Sequence, residues 1–178
     1  PDWIEIYNPG ASPFDLGGMS LTTDPANPAK WTFPAGTTLN PGAFLLVWCD
    51  ADHPASTTAG PDMNTGFALS ADGESVYLFD PARRLADSIA FGFQISNRSI
   101  GRSGGSWALL ASPTPRGPNA GPAALGPASS LRINEWMAFP DAGDDWLELF
   151  NSAALPVSLT GLCLTDDPSI NGVSNSQT

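Results

Sequence analysis

The side chains with catalytic potential in this chain are few and scattered. His53 is the single histidine, with Asp52 beside it and Asp50 three residues upstream. A Ser-His-Asp mechanism needs a nucleophile within hydrogen-bond reach of the imidazole, and the sequence contains no Gly-x-Ser-x-Gly elbow. The segment therefore reads as a solvated, turn-like loop. Acidic residues recur as Asp50/Asp52, Asp141/Asp144/Asp145 and Asp166/Asp167. Calcium gathers six to eight oxygen ligands, but none of these groups has the Asp-x-Asx-x-Asx-Gly spacing with a distal Glu. Aspartates also cap backbone amides in turns, which accounts for them without an ion. Glycoside hydrolysis needs two facing carboxylates, and Glu5 and Glu148 sit in separate repeats with one carboxylate each. Asp87 breaks an apolar alternation running from Leu85 through Ile89, Phe91 and Phe93; either a β-bulge turns it outward or it is buried against backbone donors. Trp3, Tyr7, Trp31, Trp48, Trp107, Trp136 and Trp146 could form a glycan-stacking platform, although core burial is the commoner fate of aromatics in a small β-domain. Cys49 and Cys163 lack any C-x-x-C or histidine companion and read as buried free thiols. No catalytic, cofactor-binding or metal site is assigned, and the chain reads as no enzyme.

The elements that must position these residues are short. Gly and Pro number 18 each in 178 residues, a density that long helices do not tolerate. Six Trp and nine Phe supply more burial than a disordered chain carries. Residues 2–8 alternate Ile4 and Ile6 against Trp3, Glu5 and Tyr7, a two-residue period that predicts a strand ended by Asn8-Pro9-Gly10. Trp31-Thr32-Phe33 alternates in the same way. Ala43 to Cys49 is a continuous apolar run, predicting a central strand covered on both faces. Asp72-Gly73 turns the chain into Ser75–Phe79, and Arg84–Phe93, Ile100 and Trp107–Leu110 follow. About eight short strands at this spacing predict an all-β sandwich.

One strand repeats. Asp2-Trp-Ile-Glu-Ile-Tyr-Asn8 returns as Asp145-Trp-Leu-Glu-Leu-Phe-Asn151, and the match continues from Pro13, Leu16, Gly18, Leu21, Thr22, Asp24 and Pro25 to Pro156, Leu159, Gly161, Leu164, Thr165, Asp167 and Pro168. A constant offset of this length indicates two copies of one domain-sized unit, not a solenoid. Residues 112–130, rich in proline and glycine, read as the linker between them.

The net charge is −11, and the cations are Lys30, Arg83, Arg84, Arg98, Arg102, Arg116 and Arg132. Neutralising phosphate requires clustered cations, so a nucleic-acid partner is not expected, nor an anionic membrane surface. No run of roughly 18 apolar residues is present to span a bilayer.

The ordered motifs resemble a lamin tail domain of the bacterial type. They include Trp31-Thr-Phe-Pro-Ala-Gly-Thr-Thr-Leu39, Pro41-Gly-Ala-Phe-Leu-Leu-Val47, Phe67-Ala-Leu-Ser-Ala-Asp-Gly-Glu-Ser-Val-Tyr-Leu78 and Ser99-Ile-Gly-Arg102, with Ser112-Pro-Thr-Pro115 closing. The second copy opens with Leu131-Arg-Ile-Asn-Glu-Trp-Met-Ala138 before the repeated strand. The resemblance implies an immunoglobulin-like β-sandwich of the lamin-tail-domain type without family-defined catalytic, cofactor or metal residues. It divides the chain into residues 1–119, a sandwich lacking its first strand; the linker 112–130; and residues 131–178, the N-terminal part of a second repeat. It implies a structural or protein-interaction module of a secreted or cell-surface bacterial multidomain protein. A carbohydrate- or calcium-binding accessory to an extracellular hydrolase is the alternative. The implied partners are another protein or neighbouring domains of the same one. Separately, an open edge at residues 2–8 invites pairing with Arg132 to Ala138, within one chain or between two copies, the alternative being that the second segment forms its own hairpin and packs elsewhere.

Overall fold

The computed structural model describes residues 1–166; Asp167 and Pro168, which extend the repeat, lie outside the described residues. The chain divides into two compact units, Pro1–Ala123 and Ala124 onward. Unit 1 holds eleven strands: β1 Asp2–Tyr7, β2 Phe14–Asp15, β3 Ser20–Thr22, β4 Trp31–Thr32, β5 Thr38–Leu39, β6 Phe44–Cys49, β7 Met63–Asn64, β8 Glu74–Phe79, β9 Leu85–Phe91, β10 Ile100–Ser103 and β11 Ser106–Leu109. Several are only two residues long, which is why alternation alone suggests fewer.

Two sheets carry the unit, a three-stranded one ordered β1-β6-β7 and a four-stranded one ordered β4-β3-β8-β9; short ladders β2-β5 and β10-β11 accompany them. Residues 2–7 run antiparallel to β6, with Trp3 opposite Trp48, Ile4 opposite Val47, Glu5 opposite Leu46 and Tyr7 opposite Phe44. Opposed residues share a face. Ile4 and Ile6 accordingly pack on the core with Val47, while Trp3, Glu5, Tyr7, Phe44, Leu46 and Trp48 lie on the other face. The core gathers Leu16, Leu21, Trp31, Phe33, Cys49, Met63, Phe67 and Val76. Trp31 meets Phe33 edge-on at 4.6 Å between ring centroids, and its indole N–H donates to the Ser56 carbonyl at 3.1 Å. A buried tryptophan keeps its polar handle satisfied in this way.

Gly73 has φ +107°, and a Cβ there would stand 2.7 Å from the Phe91 carbonyl oxygen at the end of β9, so only glycine fits the Asp72-Gly73 turn that leads into β8. A bulge does interrupt the β8–β9 ladder, but it falls between the Leu78–Asp87 and Phe79–Leu85 pairs. Leu85, more than half exposed, is the side chain it redirects. Asp87 keeps its register opposite Leu78 and is open to solvent because β9 is an edge strand. The Arg102 guanidinium donates to both of its carboxylate oxygens, at 2.8 and 3.0 Å, and stacks on Trp107.

The stretch read as a linker begins as part of unit 1. Ala111 N–H donates to Gly121 O, Ala123 N–H donates to Leu109 O, and Asn119 donates its side-chain amide to Arg102 O. Prolines leave fewer donors to satisfy, so a few such bonds hold the segment against the unit.

Unit 2 contains β12 Leu131–Met137 and β13 Trp146–Asn151, preceded by a single 3-10 turn at Ala128–Ser130. They form an antiparallel hairpin with a bulge at Asn134. Asn8 and its repeat counterpart Asn151 fold the chain after their strands identically. Asn8 accepts from Gly10 N–H and donates to Ser12 O; Asn151 accepts from Ala153 N–H and donates to Leu155 O.

Candidate functional site

Asp50, Asp52, His53, Ser56, Asp62 and Asn64 all belong to the loop that leaves β6 and returns as β7. This connection joins two parallel neighbours, so it must cross the end of the sheet and cannot be a tight turn. Its organiser is Asn64. The side-chain amide donates to Asp50 O and His53 O at 2.9 Å each and to Pro54 O at 3.3 Å, while its oxygen accepts from Asp50 N–H at 3.0 Å. One buried asparagine thereby satisfies several loop backbone groups that no ladder reaches.

The loop borders an open groove of about 430 Å³ lined by Trp48, Asp50, His53, Ser56, Asp62 and Asn64. His53 Nδ1 lies 2.8 Å from Asp50 Oδ2, the contact a catalytic dyad would make. The Asp50 carboxyl is held below its usual range, first by the N–H of Asp52 and then by the imidazole. Ser56 is in the same groove, but its hydroxyl oxygen accepts Asn64 N–H at 2.9 Å, and no hydrogen bond among the described residues joins it to His53. The imidazole side chain is 71% exposed. A neutral imidazole acts as a general base when it is held within hydrogen-bond reach of the proton it takes, in a site that excludes water, and this one is open to water. The Asp50–His53 pair ties a turn.

The acidic residues do not converge. Among the described residues no three His, Cys, Asp or Glu side chains approach closely enough to hold a metal ion. Asp141, Asp144 and Asp145 lie in the exposed β12–β13 connection, Asp166 is exposed, and Asp167 is outside the described residues. Glu148 faces Glu135 across the hairpin and accepts from the Asn134 side chain.

Glu5 has a different setting. Its carboxylate accepts the backbone N–H of Arg116 at 2.5 Å, and the Arg116 guanidinium pairs with Asp62. Glu5 is on β1 and Asp62 immediately precedes β7, so Arg116 bridges the two flanks of β6. Between them lies Leu46, which is 3% exposed although it faces away from the core. The proline-rich strap 112–118 is anchored on both sides of it through Arg116, at Glu5 and at Asp62, and the Thr114 hydroxyl is likewise shielded from solvent. Arg116 adopts φ +66°, an uncommon conformation for any residue but glycine, to present its N–H to Glu5. Desolvation under the strap raises the Glu5 pKa, partly offset by the Arg116 N–H and charge. Neither Asn64 nor Arg116 carries a sequence signal: each is a lone polar residue whose role appears only once distant strands are neighbours.

The aromatic residues divide. Trp31 is buried, Trp3 and Trp48 are partly covered, and Trp107 lies under Arg102. Tyr7 and Phe44 stack at 4.7 Å on the outer face, with Tyr7 half exposed. Cys49 is a buried free thiol pushed up to about 12 chiefly by desolvation. Cys163 is free but exposed, contrary to expectation, because the described part of unit 2 offers no closed interior around it.

Two packed antiparallel-rich sheets around one apolar cluster define an immunoglobulin-like module. A lamin tail domain family model matches residues 1–93, more than half of the chain. The chain belongs to the lamin tail domain family. No curated protein and no solved structure matches it. Modules of this family are generally non-catalytic.

Proposed function

We propose that this chain is a non-catalytic structural or protein-interaction module, in tandem with the opening of a second copy, within a secreted or cell-surface bacterial multidomain protein. The observation that carries the reading is the fate of its polar side chains. Asp50–His53, Asp80–Arg84, Asp87–Arg102 and Asp62–Arg116 each fasten a loop or an edge; Asp50, His53 and Asp62 border the open groove, but among the described residues no nucleophile there is hydrogen-bonded to the imidazole. Cations are spent on the fold as well: Lys30 lies over Phe67, Arg83 donates to Ser20 and Arg98 to Ala111 O. A net charge of −11 with its cations so occupied favours a protein partner over nucleic acid.

The Tyr7–Phe44 stack on the outer face favours the glycan arm of the second reading, a glycan- or calcium-binding accessory to an extracellular hydrolase. The test is a melting series with soluble oligosaccharides, calcium and chelator, beside a hydrolysis panel of esters and glycosides. Unchanged melting and no turnover agree with the module. A saturable shift transfers the assignment to the accessory, and turnover abolished by His53→Ala overturns both. Antibody detection of the chain only in the cytoplasm of its source cell would remove the secreted setting.

A further inference from the structure

The outer face of the β1-β6-β7 sheet holds the chain's own strap through a contact that another segment of the same chemistry could make. Glu5 on β1 and Asp62 just before β7 lie on either side of β6, whose Leu46 pairs with Glu5. By the ladder register, Trp3–Trp48 and Tyr7–Phe44 share that face and flank the Glu5–Leu46 pair along the strands. The strap meets the face through one turn. Gly117 N–H donates to Thr114 O at 3.2 Å, Pro115 holds the first corner, and Arg116 takes the second at φ +66°. This is the pattern of a type II turn, whose second corner favours glycine. With arginine there, the turn sends a backbone N–H to Glu5 and a guanidinium to Asp62 and the Pro61 carbonyl. A Pro-Arg pair thus faces two carboxylates.

We propose that this face binds an extended segment of a partner protein that carries a Pro-Arg turn, and that residues 112–118 are its tethered competitor. The proposal rests on the interaction-module reading and gives the partner its chemistry. The strap is held in a way that permits exchange. Among the described residues, Arg116 makes every hydrogen bond between 112–118 and the rest of the chain. The Arg116 and Asp62 side chains are 51% and 62% exposed, so water competes for their pair. The Thr114 hydroxyl is shielded from solvent without a hydrogen-bond partner, a cost that a segment with an apolar residue there does not carry. Charge selects the partner. In a chain of net charge −11, two carboxylates beside an apolar strip favour a cation, and the planar fork of arginine meets a carboxylate better than lysine does. Proline suits the flanking aromatic pairs, because its extended backbone is already ordered before it docks.

The test is fluorescence anisotropy of a labelled peptide, Ser-Pro-Thr-Pro-Arg-Gly-Pro, the sequence of residues 112–118, titrated with the full chain. Arg116→Pro removes the N–H, the guanidinium and the positive φ together, and so frees the face. Arg116→Gly keeps the turn and removes the guanidinium alone, and it serves if the first variant does not fold. Saturable binding to the opened chain is expected. The unaltered chain should bind at least about tenfold more weakly, because its tethered strap competes at high effective concentration. Asp62→Lys in the opened chain, or alanine in place of the peptide's arginine, should weaken binding by about tenfold or more. No binding by either opened variant overturns the proposal, as does equal binding by the opened and unaltered chains. Sedimentation of the unaltered chain separates the sources: a dimer that the peptide dissociates would make a second copy's strap the occupant and overturn the choice of a different protein. Hydrolysis and ligand-melting assays on the unaltered chain test the module reading separately, so a failed titration bears on this face alone.

Discussion

Truncating Leu46 tests whether the proline-rich strap is part of the fold. Leu46 points away from the sandwich core, so in a bare sheet Leu46→Ala would cost what surface truncations cost, within about 0.5 kcal/mol. Here the side chain is 3% exposed, and the strap anchored at Glu5 and Asp62 through Arg116 is the segment placed to shield it. Removing its three outer carbons forfeits about 2.4 kcal/mol at roughly 0.8 kcal/mol per buried methylene. A cavity adds to that loss wherever the cover cannot settle. The strap is a surface segment fastened through Arg116, so it can settle part of the way, which places the expected loss at about 2.5–3 kcal/mol. Urea unfolding followed by tryptophan fluorescence measures it, with Leu85→Ala on the exposed bulge as the control. Limited trypsin digestion supplies the second readout, because loosening the strap should speed cleavage after Arg116. A loss below about 1 kcal/mol with unchanged cleavage would refute the argument that the strap shields this face.

Asn64→Ala should cost about 2–4 kcal/mol, since it leaves three loop carbonyls and one amide without their partner; hydrogen exchange confined to residues 50–56 would locate the effect. Glu5→Gln keeps an acceptor for Arg116 N–H while removing a desolvated charge. Because the Glu5 pKa is raised by folding, its ionisation costs stability as pH rises past the unfolded value. The variant should therefore melt above the parent at neutral pH, with the gap closing as pH falls toward 4; a gap that widens on acidification contradicts the sign. Native protein at pH 8 should show one fast-reacting thiol with a disulfide reagent, Cys163, and a second only after denaturation, since Cys49 is buried and pushed up to about 12. Rapid modification of Cys49 in the native state would contradict its placement in the core.

What could be read in the sequence was whatever repeats with a short period. Ile4 and Ile6 turn inward, Ala43–Cys49 runs through the middle of a sheet, and Asp72-Gly73 makes its turn, because each depends on neighbours two residues away. The bulge near Asp87 was visible as a broken alternation, but its position one step earlier in the chain was not. That position is set by β8, and Asp87 itself is satisfied by an arginine fifteen residues later. The strap was illegible for the same reason. Pro113, Pro115 and Gly117 have the composition of a linker, and only the adjacency of β1, β6 and β7 makes Glu5 and Asp62 two anchor points for Arg116. The loop carrying His53 was correctly placed at the surface, while the asparagine that shapes it lies eleven residues beyond the histidine.

The arginines explain how so acidic a chain keeps its loops in place. Exposed ion pairs contribute little each, about 0–1 kcal/mol, and the four here are all partly solvated, so their sum cannot hold the sandwich together. Their value is directional. Arg83 and Arg116 both sit at positive φ, 64° and 66°, a conformation that costs energy and persists only where the surroundings over-determine it. In each case the guanidinium then reaches a distant segment: Ser20 on β3 for Arg83, Asp62 before β7 for Arg116. The apolar cluster from Leu16 to Val76 supplies the free energy, and the few cations select which of many similar turns the surface adopts. That division of labour explains why the chain can carry a net charge of −11 and still present defined edges to a partner.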